Sequence, residues 1–283
     1  MTSIYEYPNL LKGSKEQKIN ESFLFNDMKI KFLLFLFSFS LFVTNAQEKP
    51  QQLKILSYNL RFGELASLEE LAEFIKKENP DVVALQEVDV RTYRDRTPKQ
   101  NGKDFITELA YHTGMLGVYG KTIPYMRGYY GIGILSKYPL SSVERIYLPK
   151  TKHGKEQRAV LVADVEFKEG EYFTFASTHL DYTNTQERQI QVKKLNEVLL
   201  NKTYPVIIAG DFNGRPDAIE IADGMSQWKQ VCNTDPTIPA KKPKNKIDYI
   251  FVYPKDKWEI IENATYLIQL SDHLPISSVV EMK

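Results

Sequence analysis

The sequence predicts an α/β sandwich of four layers, in which two mixed, mainly antiparallel β-sheets pack face to face with helices on the outer faces. Three observations lead there. From Leu53 onward, short apolar runs outnumber amphipathic helical stretches, and the helices are spaced so as to cover outer faces. The central runs are joined by short turns, which favours antiparallel pairing. No repeats or low-complexity linkers interrupt the chain, and 42% hydrophobic and 12% aromatic residues in 283 positions supply one large core.

In order, "LKILSY" (53–58) reads as a strand. Residues 67–79 read as a helix, because Ser67 and Glu70 form a capping box and Leu68, Leu71, Ala72 and Ile75 follow helical spacing up to Asn79-Pro80. "DVVALQEV" (81–88) is a second strand, and 101–113 a second helix closed by Gly114. Strands are then expected at "GIGILSKY", "SSVERIYL", "AVLVADVEF" and "YFTFASTHL", and a third helix over 184–200. "PVIIAG", "KIDYIFVY", "ATYLIQL" and "PISSVVEM" complete the strands.

The N-terminus reads as an export signal. Lys29 and Lys31 precede a 12-residue apolar run, Phe32 to Val43, and then Thr44-Asn45-Ala46, with cleavage expected after Ala46. Residues 1–27 read as an extension ahead of a true start at Met28, residues 28–46 as the signal peptide, and residues 47–283 as a single domain in an exported protein. The leader is too short for a stable membrane span, and a monomer is expected. Residues 1–46 hold 5 of the 37 basic and 4 of the 36 acidic residues, so the remainder is formally neutral and exerts no general attraction on polyanions. Cys232 is the only cysteine, which excludes an internal disulfide.

Polar residues fall repeatedly at strand ends. In "PVIIAGDFNGRP" (205–216) a strand fit for burial on both faces ends at Gly210, and Asp211 and Asn213 follow two residues apart. If the extended path continues, both side chains point the same way; a plain turn is the equal alternative. Asn59 follows the first strand, Glu87 closes the second, His179 and Asp181 end another, Asp248 opens "KIDYIF", and Asp272-His273 precede the last. Each has an innocuous reading as a solvated strand end, a core histidine or a turn residue. Strands of paired sheets bring their ends to a common rim, so together these residues can converge.

With those pieces in hand, the sequence resembles the endonuclease/exonuclease/phosphatase superfamily. The matching segments, in family order, are "SYNLR" 57–61, "LQEV" 85–88, "GIGILSKYP" 131–139, "STHLD" 177–181, "AGDFN" 209–213, "IDYIF" 247–251 and "SDHLP" 271–275. One departure is Gly133, where many relatives have Asn. The resemblance implies a metal-dependent phosphoesterase, exported if the leader reading holds, that attacks phosphorus with water and forms no covalent intermediate. Asn59, Glu87 and Asp272 are then the metal ligands, with Mg²⁺, or Mn²⁺ or another divalent cation, as cofactor, because hard cations take oxygen donors. His273 is the general base and Asp248 its orienting partner. Asp211 and Asn213 position water and phosphate oxygens. His179, when protonated, steadies a non-bridging oxygen or the leaving group. Arg158 matches a phosphate-contacting arginine, with a surface strand charge as the alternative.

The substrate stays open: nucleic acid, a phospholipid headgroup or a small phosphorylated molecule. The basic stretches "RTYRDRTPKQNGK" (91–103) and "KKPKNK" (241–246), and the aromatic "YMRGYYG" (125–131), could meet such a substrate or be solvated surface. A catalytically silent binding module on the same fold is the competing class.

Overall fold

The computed structural model describes residues 51–283, together with Lys29 and Lys31, which are exposed and helical. The rest of the expected extension and leader lies outside the described residues. Among the described residues, no helix is long and apolar enough to cross a membrane.

The first sheet begins with β1 (Gln52–Asn59), followed by α1 (Leu68–Glu78), β2 (Val82–Val90), α2 (Phe105–Thr113), β3 (Leu116–Tyr125) and β4 (Gly128–Ser136). The chain then builds the second sheet from β5 (Leu140–Tyr147), β6 (Ala159–Lys168), β7 (Glu171–His179), α3 (Thr185–Leu199), β8 (Val206–Asp211), α4 (Ile219–Ala222), β9 (Lys229–Gln230) and β10 (Asp248–Tyr253). It returns to the first with β11 (Trp258–Thr265) and β12 (Ile276–Met282). The strand orders are β11-β12-β1-β2-β4-β3 and β5-β6-β7-β8-β10-β9. Each sheet contains one parallel pair, β1 with β2 and β7 with β8, each bridged by a helix; every other pairing is antiparallel.

The core lies between the sheets. Leu53, Ile55, Val82, Ala84, Ile132 and Ile134 from the first meet Val160, Val162, Phe173, Phe175 and Ile208 from the second. Alternate residues of the same strands, Leu56, Tyr58, Val83 and Leu85, turn outward and are covered by Leu71 and Ile75 of α1 and Phe105 and Leu109 of α2. On the second sheet, Val192, Leu195 and Leu199 of α3 are buried in the same way. The four predicted layers are therefore present. Among close approaches of backbone, Gly210 is required, because a Cβ there would lie 2.0 Å from the Thr178 carbonyl oxygen on β7.

Some elements differ from expectation. α1 keeps its capping box, with Ser67 accepting from Glu70 N and Glu70 from Ser67 N. α2 begins at Phe105 instead of 101, because Asp104 caps it and residues 98–100 form a separate 3-10 turn. β3 was not anticipated, since Gly117, Gly120 and Pro124 break its apolar alternation. The strand expected at "ATYLIQL" ends at Thr265; beyond it Tyr266, Ile268 and Leu270 leave the sheet and pack against the outer core. Gly133 makes room for α2, because a Cβ there would meet Ile106 Cδ1 at 2.2 Å.

Candidate active site

The carboxyl ends of all four parallel strands open on one cleft. Register explains the meeting: in the second sheet His179, Asp211 and Asp248 are paired residue for residue across β7, β8 and β10, while in the first Asn59 is level with Gln86. Glu87 itself is the extra residue of a β-bulge against β4, with a positive φ of 55°. A bulge re-aims a side chain, and here it turns the carboxylate into the cleft. The two rows face each other, and Asn59 Nδ2 bridges them, donating to Glu87 Oε1 at 3.3 Å and Asp211 Oδ2 at 3.1 Å.

At the centre, His273 Nδ1 lies 3.0 Å and 3.2 Å from the two oxygens of Asp248, and its Nε2 is 3.7 Å from Asp211 Oδ2. The Thr237 hydroxyl donates to Asp248 Oδ2, and Leu274 N donates to Thr237 O at 2.7 Å, so one loop fixes both members of the pair. Burial opposes charge on His273, but the Asp248 and Asp211 carboxylates outweigh it and push the imidazole up to about 9. Asp211 is pushed up to about 7, first by burial and then by Asp248.

His179 Nε2 is 3.5 Å from Asp211 Oδ2. Burial, then the charges of Arg158 and His273, hold His179 well below the usual histidine range. Burial thus favours its neutral form, whereas the role named for it from the sequence depends on the protonated one. Asn213 also departs from the extended path. Its φ is 51°, and Asp211 Oδ1 accepts from its N–H at 2.9 Å, so the turn reading holds for the backbone although the side chain still lines the cleft. Arg158 is 2% exposed, which removes the surface-charge alternative; its Nη2 is 3.4 Å from Glu156, and its buried Nε has no hydrogen-bond partner.

Asp272 stands aside. Its carboxylate pairs with the Arg61 guanidinium, and it does not line the cleft. Asn59 presents its amide nitrogen to the carboxylates, while its oxygen accepts from Arg61 N at 3.0 Å. Asp181, also at a strand end, is turned to its own loop, accepting from Thr183, Asn184 and Lys155 backbone N–H groups.

The cleft holds about 400 Å³, and its wall includes residues with no assigned part in the sequence reading: Phe62, Arg94, Arg96, Ile123, Tyr125, Tyr130, Glu156 and Tyr182. Arg94, Arg96, Tyr125 and Tyr130 belong to the basic and aromatic stretches already noted. Glu156 and Tyr182 had no signal beyond lying next to Arg158 and the "STHLD" segment. "KKPKNK" does not reach the cleft, and its Lys246 is buried at 4% exposure.

A sequence profile of the Endonuclease/Exonuclease/phosphatase family matches residues 56–273. The chain belongs to that family. Its members hydrolyse phosphoester bonds, and the matched span includes every candidate residue of the cleft. Among similar proteins, Escherichia coli YbhP is 27% identical over 258 residues, covering 83% of this chain and 99% of its own length. Exodeoxyribonuclease III of Haemophilus influenzae is 27% identical over 192 residues, 64% of this chain and 65% of its own. In fold, the endonuclease/exonuclease/phosphatase of Beutenbergia cavernae superposes with a TM-score of 0.70 at 18% identity, over 82% of this chain and 72% of that one.

As a family member, the chain can be tested for fit to a divalent cation. Glu87 is pushed up, chiefly by burial, and forms no ion pair among the described residues. Ligand atoms of Asp211, Asp248 and His273 lie within 4.8 Å of one another. The carboxylate oxygens of Asp211 and Asp248, crowded beside the unpaired Glu87, fit a cation of the Mg²⁺ type.

Proposed function

We propose that the protein is an exported, Mg²⁺-dependent phosphoesterase in which His273 is the general base. The observation that carries this reading is the His273–Asp248 pair, buried and aimed into a cleft that also holds Glu87, Asp211 and the unsatisfied guanidinium of Arg158. Glu87 would hold the cation, with Asp211 beside it; Asn59 would join if its amide turned over, and Asp272 if it released Arg61. When bound, a divalent cation neutralises phosphate charge and stabilises the oxyanion that develops in the transition state.

The residues themselves divide the work. In its neutral form His273 accepts a proton from the attacking water at Nε2, and Asp248 stabilises the imidazolium that results; the imidazole, raised to about 9 by the carboxylates around it, must therefore lose its proton before each attack. Arg158 donates to non-bridging phosphate oxygens through the edge that no protein group satisfies. His179, neutral, donates from Nε2 toward the same oxygens, and Asn59, donating to both Glu87 and Asp211, sets the spacing of the two carboxylates. Mn²⁺ would serve the same oxygen donors. The lysines, apolar run and small residues of 28–46 support export; mass spectrometry of exported protein should find no peptide from 1–46, and a cytosolic protein retaining them rejects that part.

The deciding assay is release of p-nitrophenol from bis-p-nitrophenyl phosphate and p-nitrophenyl phosphate, after chelation and after return of Mg²⁺ or Mn²⁺. Turnover should require the metal and fall sharply in His273→Ala. No turnover of either ester with any divalent ion rejects the reading.

A further inference from the structure

Arg94 is held unlike any other cation of the cleft. Its Nε and Nη2 donate to Asp89 Oδ2 and Oδ1 at 2.6 Å and 3.0 Å, and Asp89, 1% exposed, also accepts from Thr92 Oγ1 at 2.6 Å. Its guanidinium lies 4.0 Å from the ring centre of Phe62, 4.3 Å from that of Tyr125 and 5.4 Å from that of Tyr130. The loop beneath is tied down: Arg94 N donates to Asn101 Oδ1 at 2.7 Å, Tyr93 N to Met126 O at 2.9 Å, and Arg91 N to Lys103 O at 2.7 Å. The side chain is therefore fixed in orientation before any substrate arrives. Its Nη1 makes no hydrogen bond to the described residues, although Arg94 lines the same cleft as His179 and His273.

Charge narrows what this edge reads. Asp89 pairs with Arg94, and the two carboxylates of Glu64 and Asp272 together offset Arg96 and Arg61, with Glu64 2.5 Å from Arg96 and also paired to Arg61. The far end of the cleft thus offers directed donors and aromatic walls with little net charge. Among the arginines lining the cleft, Arg158 is the least compensated: Glu156 is 3.4 Å from its Nη2, the Tyr182 ring centre is 5.9 Å away, and its Nε has no partner. One anion is accommodated, at the catalytic end. A nucleic-acid strand instead presents successive phosphates, which proteins match with uncompensated Lys and Arg. A volume near 400 Å³ lies in the range of small-molecule sites.

We infer that the cleft takes the phosphate ester of one small hydroxylated ring, seated beside the Arg94 guanidinium at the aromatic end of the cleft, with a neutral ring or hydroxyl oxygen accepting from Arg94 Nη1. Arg94 is then a specificity residue. This rests on the phosphoesterase reading.

The test uses the Mg²⁺-loaded protein and compares kcat and KM for a panel of hexose and pentose phosphates, for ethyl phosphate, which has the same charge but no ring, and for duplex DNA. At least one sugar phosphate should exceed ethyl phosphate in kcat/KM by roughly tenfold or more, because a site built to bond a hydroxyl discriminates against its absence. Arg94→Gln should shrink that ratio by about tenfold, mostly through KM, and Tyr125→Ala should shrink it too if Arg94→Gln does not fold. The inference is overturned if folded variants leave the ratio intact, if ethyl phosphate equals every sugar phosphate, or if duplex DNA is the best substrate. In those cases metal-dependent hydrolysis of bis-p-nitrophenyl phosphate or p-nitrophenyl phosphate still stands. If both are absent, the phosphoesterase reading falls and takes this inference with it.

Discussion

Glu87 carries two local penalties at once, a positive φ of 55° and a carboxylate that burial pushes up. A non-glycine residue held there costs on the order of 1–3 kcal/mol. Glu87→Gly should therefore raise the thermal midpoint of metal-free protein while abolishing Mg²⁺-dependent turnover; a lower midpoint would show that the bulge is not strained. Glu87→Gln, which keeps the shape and removes the charge, should weaken Mg²⁺ binding by calorimetry. For His273 the expectation is kinetic. Loss of a general base costs roughly 10²-fold to 10⁴-fold, so His273→Ala should lower turnover by at least the smaller figure with the fold retained. Asp248→Asn should be harmful alone and add little once His273 is gone, since groups acting as a unit are not additive. It should also bring the His273 titration, followed by NMR in metal-free protein, down from about 9. An unmoved titration, or additive rate effects, would remove Asp248 from the mechanism.

At the level of elements, the readable ones are those whose ends are chemically marked. The capping box at Ser67 and the left-handed Asn79 set the limits of α1, and both are visible as residue types. Ser67→Ala should cost about 1 kcal/mol in denaturant unfolding and leave turnover unchanged; a change in rate would tie α1 to the site. β3 was hidden because its place in the sheet comes from backbone pairing with β4, which tolerates Gly117 and Gly120 where side-chain alternation does not. The site was legible as a set of residue types at strand ends, since register alone brings His179, Asp211 and Asp248 level. Its fine placement was not. Whether Asp272 turns to the cleft or to Arg61 is decided by Arg61, a residue 211 positions away in sequence. Likewise the caging of Arg94 depends on Phe62 and Tyr125, which belong to different segments.

For the whole molecule, the crowded carboxylates make stability depend on pH and metal together. His273 is raised above 6.5, so its contribution to stability is complete below that value and is lost as pH rises through about 9. Asp211 is raised above 3.8, so the contribution from its protonated form is likewise lost as pH rises through about 7. The thermal midpoint of chelator-treated protein should fall between pH 6 and pH 9, and Mg²⁺ should recover more of it at pH 9 than at pH 6. Saturation at a hundredfold over Kd contributes about 2.7 kcal/mol, or roughly 5–10 °C for a domain of this size. Equal recovery at both pH values would mean the cation does not sit among these groups. The strand order has a further consequence, for the timing of synthesis. The first sheet is opened by β1 but closed only by β12, with Gln52 paired to Glu281 and the whole second sheet made in between. His273 is threaded into place by the segment that leads into β12. A nascent chain halted at Pro275 would already contain every candidate catalytic residue and still be inert, because nothing would yet hold β1 from its β12 side. Deleting β12, Ile276–Met282, should therefore silence turnover as completely as removing the base, because β1 and the segment that carries His273 would lose the strand that seats them.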